Sequence, residues 1–445
     1  MSEQCVRRPT ASPEHLYTWL DIDQYFAELA QEGSWPGWLR EVDAYWDGVR
    51  LLVANDQPEA EVWTWLIEMF GPLAIKRERG VLLLDDAGQE RPLPVEIEHV
   101  QEIYPPDRRP RWTDRRIVAE LGRPLPPPAS RLPHDVQIMA FHSFKGGVGR
   151  TLHCVAAAQR LADEGRRVLL VDADLEAPGV TWMVAEAIRI DFAYEDFLAL
   201  VHGDTEQTYA DAIGLGRKFL VKQDLDGVIV MPARRDLTRI APPRIELVDL
   251  LTTDRDPYVL TSALAELGHA LGVDAVLVDL RAGGSELSAP VLLDPRVHRV
   301  FVTTISDQSV RATAAMMRDL ALRAPARQST DPDCALVLTQ FSPQDHQSRL
   351  AEVAASLRES ALAVSRQKIR DSEPDGDGDM TDADACIPMA ASDFNPQLRN
   401  LPAAWSDVVT LVARERLGER LAPLVESLPI GGRSAQRADD VNAGY

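Results

Sequence analysis

The chain has 445 residues, 45% hydrophobic and 26% charged, the balance of a globular protein long enough for roughly two to four domains. Its net charge of -22, from 69 acids against 47 bases, repels phosphate backbones at long range and disfavours sequence-independent DNA binding. No apolar run approaches the ~20 residues of a membrane helix, and the start MSEQCVRRPT lacks the apolar stretch of a secretory signal. Cys5, Cys154, Cys334 and Cys386 lie far apart with no C-x-x-C pair, which argues against zinc and a disulfide framework and for a reducing cytoplasm.

Residues 1–103 form a tryptophan-rich block, with Trp19, Trp35, Trp38, Trp46, Trp63 and Trp65 inside it and Trp112 just beyond. DQYFAELAQ and EAEVWTWLIEMFG have helical periodicity, whereas GVRLLVAND, GVLLLDD and LPVEIEHV predict strands bounded by Gly, Asn and Asp turns. A small α+β domain is expected. Its tryptophans are expected in the core, with an exposed aromatic surface for a protein partner as the alternative. Residues 104–134 are rich in Pro and Arg and predict a stiff extended linker. Arg108, Arg109, Arg111, Arg115 and Arg116 around Trp112 are expected to be solvated and paired with the acidic body rather than with nucleic acid.

From residue 135 to 430 the pattern is α/β. VQIMAFHSF, RRVLLVDAD, GVIVMPA, VDAVLVDL, HRVFVTTIS, CALVLTQF and CIPMA predict strands. TLHCVAAAQRLADEG, PYVLTSALAELGHAL, SVRATAAMMRDLALR and HQSRLAEVAASLRESAL predict helices, and WSDVVTLVARERLGERLAPLVESL a single closing helix. Strands alternating with helices predict a mostly parallel sheet covered on both faces. Residues 371–385, with acids at Asp371, Glu373, Asp375, Asp377, Asp379, Asp382 and Asp384, predict a disordered acidic insertion. They are not a calcium loop, because Met380 stands where the EF-hand needs Gly. Residues 431–445 form a polar tail.

The strongest chemical signal is Lys145-Gly146-Gly147-Val148-Gly149-Arg150-Thr151-Leu152, between a strand and a helix. Glycines there let backbone amides turn towards an oxyanion, and the helix N-terminus adds its positive end. Thr151 is placed to offer a hydroxyl to Mg²⁺. Two acidic strand ends accompany the loop. One is Val171-Asp172-Ala173-Asp174-Leu175-Glu176, and the other is Val278-Asp279-Leu280-Arg281-Ala282-Gly283-Gly284. The bland alternative for the acids of the first is that they cap a helix.

In these three segments the sequence resembles the ParA/MinD-type P-loop ATPases with the deviant Walker A motif K-G-G-x-G-K-[ST], in a subgroup with K-G-G-V-G-R. The resemblance covers roughly residues 136–428 and leaves the N-terminal block aside. It implies ATP and Mg²⁺ as ligands and a P-loop NTPase fold. It also implies an ATP-dependent face-to-face dimer in which Lys145 reaches the other subunit's phosphates. Lys145 and Asp174 are the implied catalytic residues, Asp174 orienting the attacking water, with Glu176 as runner-up. Lys145 to Leu152 and Gly283 would bind nucleotide, and Thr151, Asp172 and Asp279 would hold or neighbour the metal. Gln340 and CIPMA are candidates for the base site.

Arg150 departs from the family's lysine. Its planar fork either displaces the γ-phosphate and slows hydrolysis, or has been recruited to a contact of its own. The expected function is a slow ATPase switch signalling to a protein partner through the N-terminal domain, with a bacterial defence or conflict system as a candidate setting. The alternative is a nucleotide-gated scaffold with little hydrolysis. A tyrosine kinase of this loop type would need a C-terminal tyrosine cluster, and beyond residue 209 only Tyr258 and Tyr445 occur.

Overall fold

The computed structural model describes residues 34–45, 48–84, 91–101, 111–112, 125–202, 206–238, 256–285, 288–328, 330–344, 346–371, 387–399 and 401–428, with Leu16 and the pairs 21–22, 25–26 and 29–30. They divide into two compact units, residues 1–122 and 123–445. Most of the acidic segment, residues 372–386, and the polar tail lie outside the described residues.

The first unit contains β1 (Leu39–Tyr45), β2 (Gly48–Ala54), α1 (Glu59–Phe70), β3 (Ile75–Lys76), β4 (Val81–Leu84), β5 (Arg91–Val100) and β6 (Arg111–Trp112). They form one sheet in the order β3-β4-β5-β2-β1-β6. Alternating burial along β2 and β4 turns one face of the sheet to the core. Val62, Trp63, Trp65, Leu66, Met69 and Phe70 of α1 are buried there. Trp65 meets Trp38 edge-on at 5.5 Å, and the Trp35 indole donates to the Phe26 carbonyl at 3.2 Å. These tryptophans therefore pack the core. β1 was not expected, because a register shift between Leu39 and Glu41 breaks the two-residue alternation that marks a strand.

The segment expected as a linker is partly built into both units. Arg111 and Trp112 pair in parallel with Glu41 and Val42. Further on, Leu125 donates its amide to the Arg323 carbonyl at 3.1 Å, and the Tyr258 hydroxyl donates to the Pro126 carbonyl at 2.6 Å. An extended proline-rich chain offers free carbonyls, and here the second unit uses them.

The second unit runs β7 (Gln137–His142), α2 (Arg150–Asp163), β8 (Val168–Asp172), α3 (Gly179–Val184), α4 (Tyr194–His202), α5 (Glu206–Leu220), β9 (Asp224–Leu225), β10 (Val228–Met231), α6 (Val259–Leu271), β11 (Ala275–Asp279), α7 (Ala289–Leu292), β12 (His298–Thr304), α8 (Asp307–Arg323), β13 (Ala335–Phe341), α9 (Gln347–Asp371), β14 (Met389–Asp393), α10 (Trp405–Arg414), α11 (Leu417–Arg420) and α12 (Ala422–Glu426). Its sheet has the order β14-β13-β12-β7-β11-β8-β10-β9, parallel except for the β9–β10 hairpin. β8 and β11 are buried at every position, as expected for strands covered on both faces. One core cluster joins β7, β8, β11, β12 and β13 to α2, α10 and α12.

Two expectations need correction. The last strand is Met389–Asp393, shifted three residues along from CIPMA and sharing only Met389 and Ala390 with it. The single closing helix is three short ones, α10, α11 and α12: Arg416 turns left-handed at φ 54° between the first two, and Leu421, ahead of Pro423, departs from helical geometry between the last two. The apolar pattern runs on through that turn, so periodicity alone hides the break.

Candidate functional site: a phosphate loop above paired aspartates

β7 sits centrally in the sheet, with β11 on one side and β12 on the other. The chain that leaves its end therefore enters the crevice where neighbouring connections diverge, the usual ligand position of a parallel sheet. Gly147 (φ 75°) and Gly149 (φ 91°) turn left-handed there, a conformation that L side chains resist. α2 begins directly after Gly149, and no side chain caps it, so its first amides are left for an anion. A cleft of about 730 Å³ opens over this loop, lined also by Asp174, Arg281, Gln340, Phe394 and Asn395.

Register brings the acids together. Asp279 at the end of β11 pairs directly with Asp172 at the end of β8. Both are fully buried, and burial followed by Asp279 raises Asp172 to a pKa of about 7. Burial likewise raises Asp279, against the pull of Arg150. Both oxygens of Asp172 accept hydrogen bonds. Its Oδ2 accepts from the Thr181 amide at 2.8 Å and hydroxyl at 2.7 Å, and its Oδ1 from the Asp174 amide at 3.3 Å. Asp279 is different. Its Oδ2 is buried without a hydrogen-bond partner, with the Thr151 hydroxyl beside the carboxylate.

Arg150 explains the other oxygen. Its Nε donates to Asp279 Oδ1 at 2.6 Å, and its Nη2 to Asp174 Oδ2 at 3.4 Å. The side chain is only 9% exposed. Burial opposes its charge, but Asp279, Asp174 and Asp172 outweigh that and raise its pKa. Arg150 therefore turns down into the acids rather than out into the cleft. Asp174 is also held by the Ala177 amide at 3.0 Å on Oδ1. Glu176 is paired with Arg281.

At the opposite end of the loop, Lys145 Nζ donates to Gln308 Oε1 at 2.5 Å near solvent. The Gly283 amide is bonded to the Ser143 carbonyl at 2.8 Å, so it is occupied in this conformation rather than turned to the cleft. The Gly283 carbonyl accepts from His142 Nε2 at 2.9 Å. Burial holds His142 neutral, with a pKa near 4.

Some contacts and residues here escaped the sequence reading. Gln340, read as a base-site candidate, stands at a bulge of β13 with φ 57° and donates to the Gly147 carbonyl at 2.6 Å. It braces the loop. The neighbouring Thr339 hydroxyl donates to the Val148 carbonyl at 2.9 Å. Thr181 and the half-exposed Phe394 carry no local signal that marks them. Gly179 has one only in hindsight: a Cβ there would lie 2.8 Å from Thr151 Cγ2.

Residues 136–280 match the family described as AAA domain. Over 42 residues the chain is 57% identical to the antiactivator FleN of Pseudomonas aeruginosa, a match spanning 9% of this chain and 15% of that protein. Among solved structures, the ParA family ATPase of Chlorobium tepidum is 13% identical at a TM-score of 0.41, covering 65% of this chain and 98% of its own. The septum site-determining protein MinD of Pyrococcus horikoshii, solved with Mg-ADP, is 16% identical at a TM-score of 0.40, covering 70% of this chain and 100% of its own. Residues 136–280, the stretch that matches the AAA domain family, hold the K-G-G-V-G-R loop and the paired strand-end aspartates, and in these features the chain is similar to the P-loop ATPases of the ParA/MinD type.

Proposed function

We propose that the chain is an ATP- and Mg²⁺-dependent switch that hydrolyses ATP slowly, dimerises on ATP and signals its nucleotide state to a protein partner through the first unit. The observation that carries this is the joining of two features at one cleft. A glycine loop with an uncapped helix start meets two buried aspartates paired across β8 and β11. The first suits phosphates, and the second suits a divalent cation.

The residues present fit the metal. Asp279 supplies a buried oxygen with no hydrogen-bond partner, and Thr151 supplies a hydroxyl beside it. Mg²⁺ bound there would neutralise charge on the phosphates during transfer. Amides from Gly146 to Leu152 would hold the phosphates. Asp174 is the group that would orient water, once released from Arg150. Gly283 would meet the γ-phosphate only after its amide leaves Ser143. Lys145 stands at the rim, where it would reach a second subunit. Phe394 and Asn395 are the apolar and polar walls a base would meet. The chain's acidity argues against DNA as the partner, and no helix among the described residues is long and apolar enough to cross a membrane.

Thermal unfolding tests this reading. ATP with Mg²⁺ should stabilise the wild type, since a ligand that binds only the native state raises its stability. Thr151→Ala should lose most of that shift. No shift with any nucleotide would end the proposal. Asp174→Ala should keep ATP affinity and lose most turnover. If affinity collapses instead, Asp174 serves the metal or the fold.

A second reading is favoured by one contact. With Arg150 bonded to both Asp279 and Asp174, the hydrolytic acids are engaged. The protein would then be a nucleotide-gated scaffold with little turnover. Arg150→Lys separates the two. A slower enzyme supports a recruited arginine, and a rise of about tenfold or more favours the scaffold.

A further inference from the structure

The departure of Arg150 from lysine has a geometric counterpart. Nε and Nη2 of one planar guanidinium reach two acids on different elements, Asp279 at the end of β11 and Asp174 in the turn after β8. A lysine ammonium is a point charge on a flexible stem and does not reproduce that two-pronged bridge. The bridge is buried at both ends, where charge–charge contacts are screened least. Three carboxylates, Asp172, Asp174 and Asp279, gather around this one guanidinium. Arg150 is also the first residue of α2, at the end of the loop that would cradle phosphates.

We propose that Arg150 is an internal cation that competes with a divalent metal for Asp279, so that free metal is kept out until a nucleotide draws the guanidinium away. In the position seen, Arg150 occupies Asp279 Oδ1 and leaves only Oδ2 open. A metal bound at Oδ2 would sit against the guanidinium in a buried site, and two cations there repel each other. Phosphates at the loop offer the same guanidinium a second set of anionic oxygens, for which its fork is equally suited. Moving to them frees Asp279 for metal and Asp174 for water. Arg150 thus has two positions, and nucleotide and metal enter together. The inference rests on the reading of Asp279 and Thr151 as metal-holding residues, and its test reads metal binding directly rather than turnover.

Mn²⁺ is the probe, followed by the loss of its free electron-spin signal, with no nucleotide present. The wild type should bind Mn²⁺ alone poorly, and Arg150→Met should bind it on the order of tenfold or more tightly. Adding Asp279→Asn to Arg150→Met should abolish the gain. A wild type that binds Mn²⁺ alone as well as Arg150→Met does would overturn the proposal. So would an Arg150→Met that gains nothing while ATP with Mg²⁺ still stabilises the wild type. If ATP with Mg²⁺ has no effect on the wild type, it is the phosphate-site reading that fails. Should Arg150→Met not fold, Arg150→Lys takes its place, with an intermediate gain expected and no gain counting against the idea. The wild type decides in any case: saturable binding of Mn²⁺ alone, unaffected by a non-hydrolysable ATP analogue, refutes the competition.

Discussion

The two ends of the glycine loop carry one cation each, and the fold treats them in opposite ways. Lys145 lies near solvent on a single neutral partner, Gln308. Arg150, five positions on, is buried and bridges two carboxylates from separate strand ends. The difference teaches where a charge can do work alone and where it needs partners. An exposed ammonium keeps its hydration and is free to act on something arriving from outside. A buried guanidinium is stable only while its acids neutralise it, so it becomes part of the core's electrostatics. The neutral His142, held by Gly283, belongs to that buried end, as does the close approach of Gly179 to Thr151.

The sharpest way to break the comparison is to remove the buried cation. Arg150→Met leaves Asp279 and Asp174 without it in a buried site, and should cost about 3–5 kcal/mol of stability. Urea unfolding without nucleotide or metal measures this. A loss below about 1 kcal/mol would mean that the carboxylates are protonated or solvated, and the contrast with Lys145 would vanish.

Acid probes the same end. The folded pKa of His142 lies near 4, below its ordinary value of 6.5. The unfolded chain therefore takes up this proton first. The stability that His142 contributes is present above pH 6.5 and is lost as pH falls towards 4. That loss is worth roughly 3 kcal/mol. His142→Gln keeps a donor for the Gly283 carbonyl and should remove this part of the acid limb. Asp172, raised to about 7, acts in the opposite sense, gaining stability as pH falls below 7. The comparison of variant with wild type cancels that term. Equal pH slopes in the two proteins would show that His142 is already hydrated when folded.

Gly179→Ala sharpens the picture at its closest contact. The new methyl would press on Thr151 at 2.8 Å, and crowding of this kind costs about 1–3 kcal/mol. It should also weaken stabilisation by ATP with Mg²⁺, because the displaced group carries the hydroxyl. Full retention of that shift would separate Thr151 from the metal. The smallest effect belongs to the exposed end. Lys145→Ala should change stability by less than about 1 kcal/mol, yet abolish ATP-dependent dimer formation measured by light scattering. A dimer that persists would leave Lys145 without its inter-subunit role.

Much of the scaffold is legible in the order of residues alone. Apolar runs such as VLLVD and AVLVD announce strands buried on both faces, and the loop glycines announce where an anion would sit. Other features are not legible in this way. β1 hides behind a bulge, Gln340 turns out of β13 at a left-handed residue, and Arg416 breaks a helix whose apolar stripe continues past it. In each case one backbone irregularity interrupts a pattern that sequence reading assumes to be regular.

The residue sequence by itself determined the local elements, the order of acidic strand ends after the loop, and the chemical kinds of group available. These depend on periodicity and backbone freedom within a few residues of each other. Only the tertiary structure decided which group each charge meets. Arg150 and Asp279 are 129 positions apart, and Gln340 and Gly147 are 193 apart. They meet because parallel pairing sets β11 beside β8 and β7, and β13 one strand beyond β12. Sheet order and register are collective results of core packing, and no short stretch of chain contains them. The direction in which Arg150 points, into the acids rather than the cleft, was settled at that level.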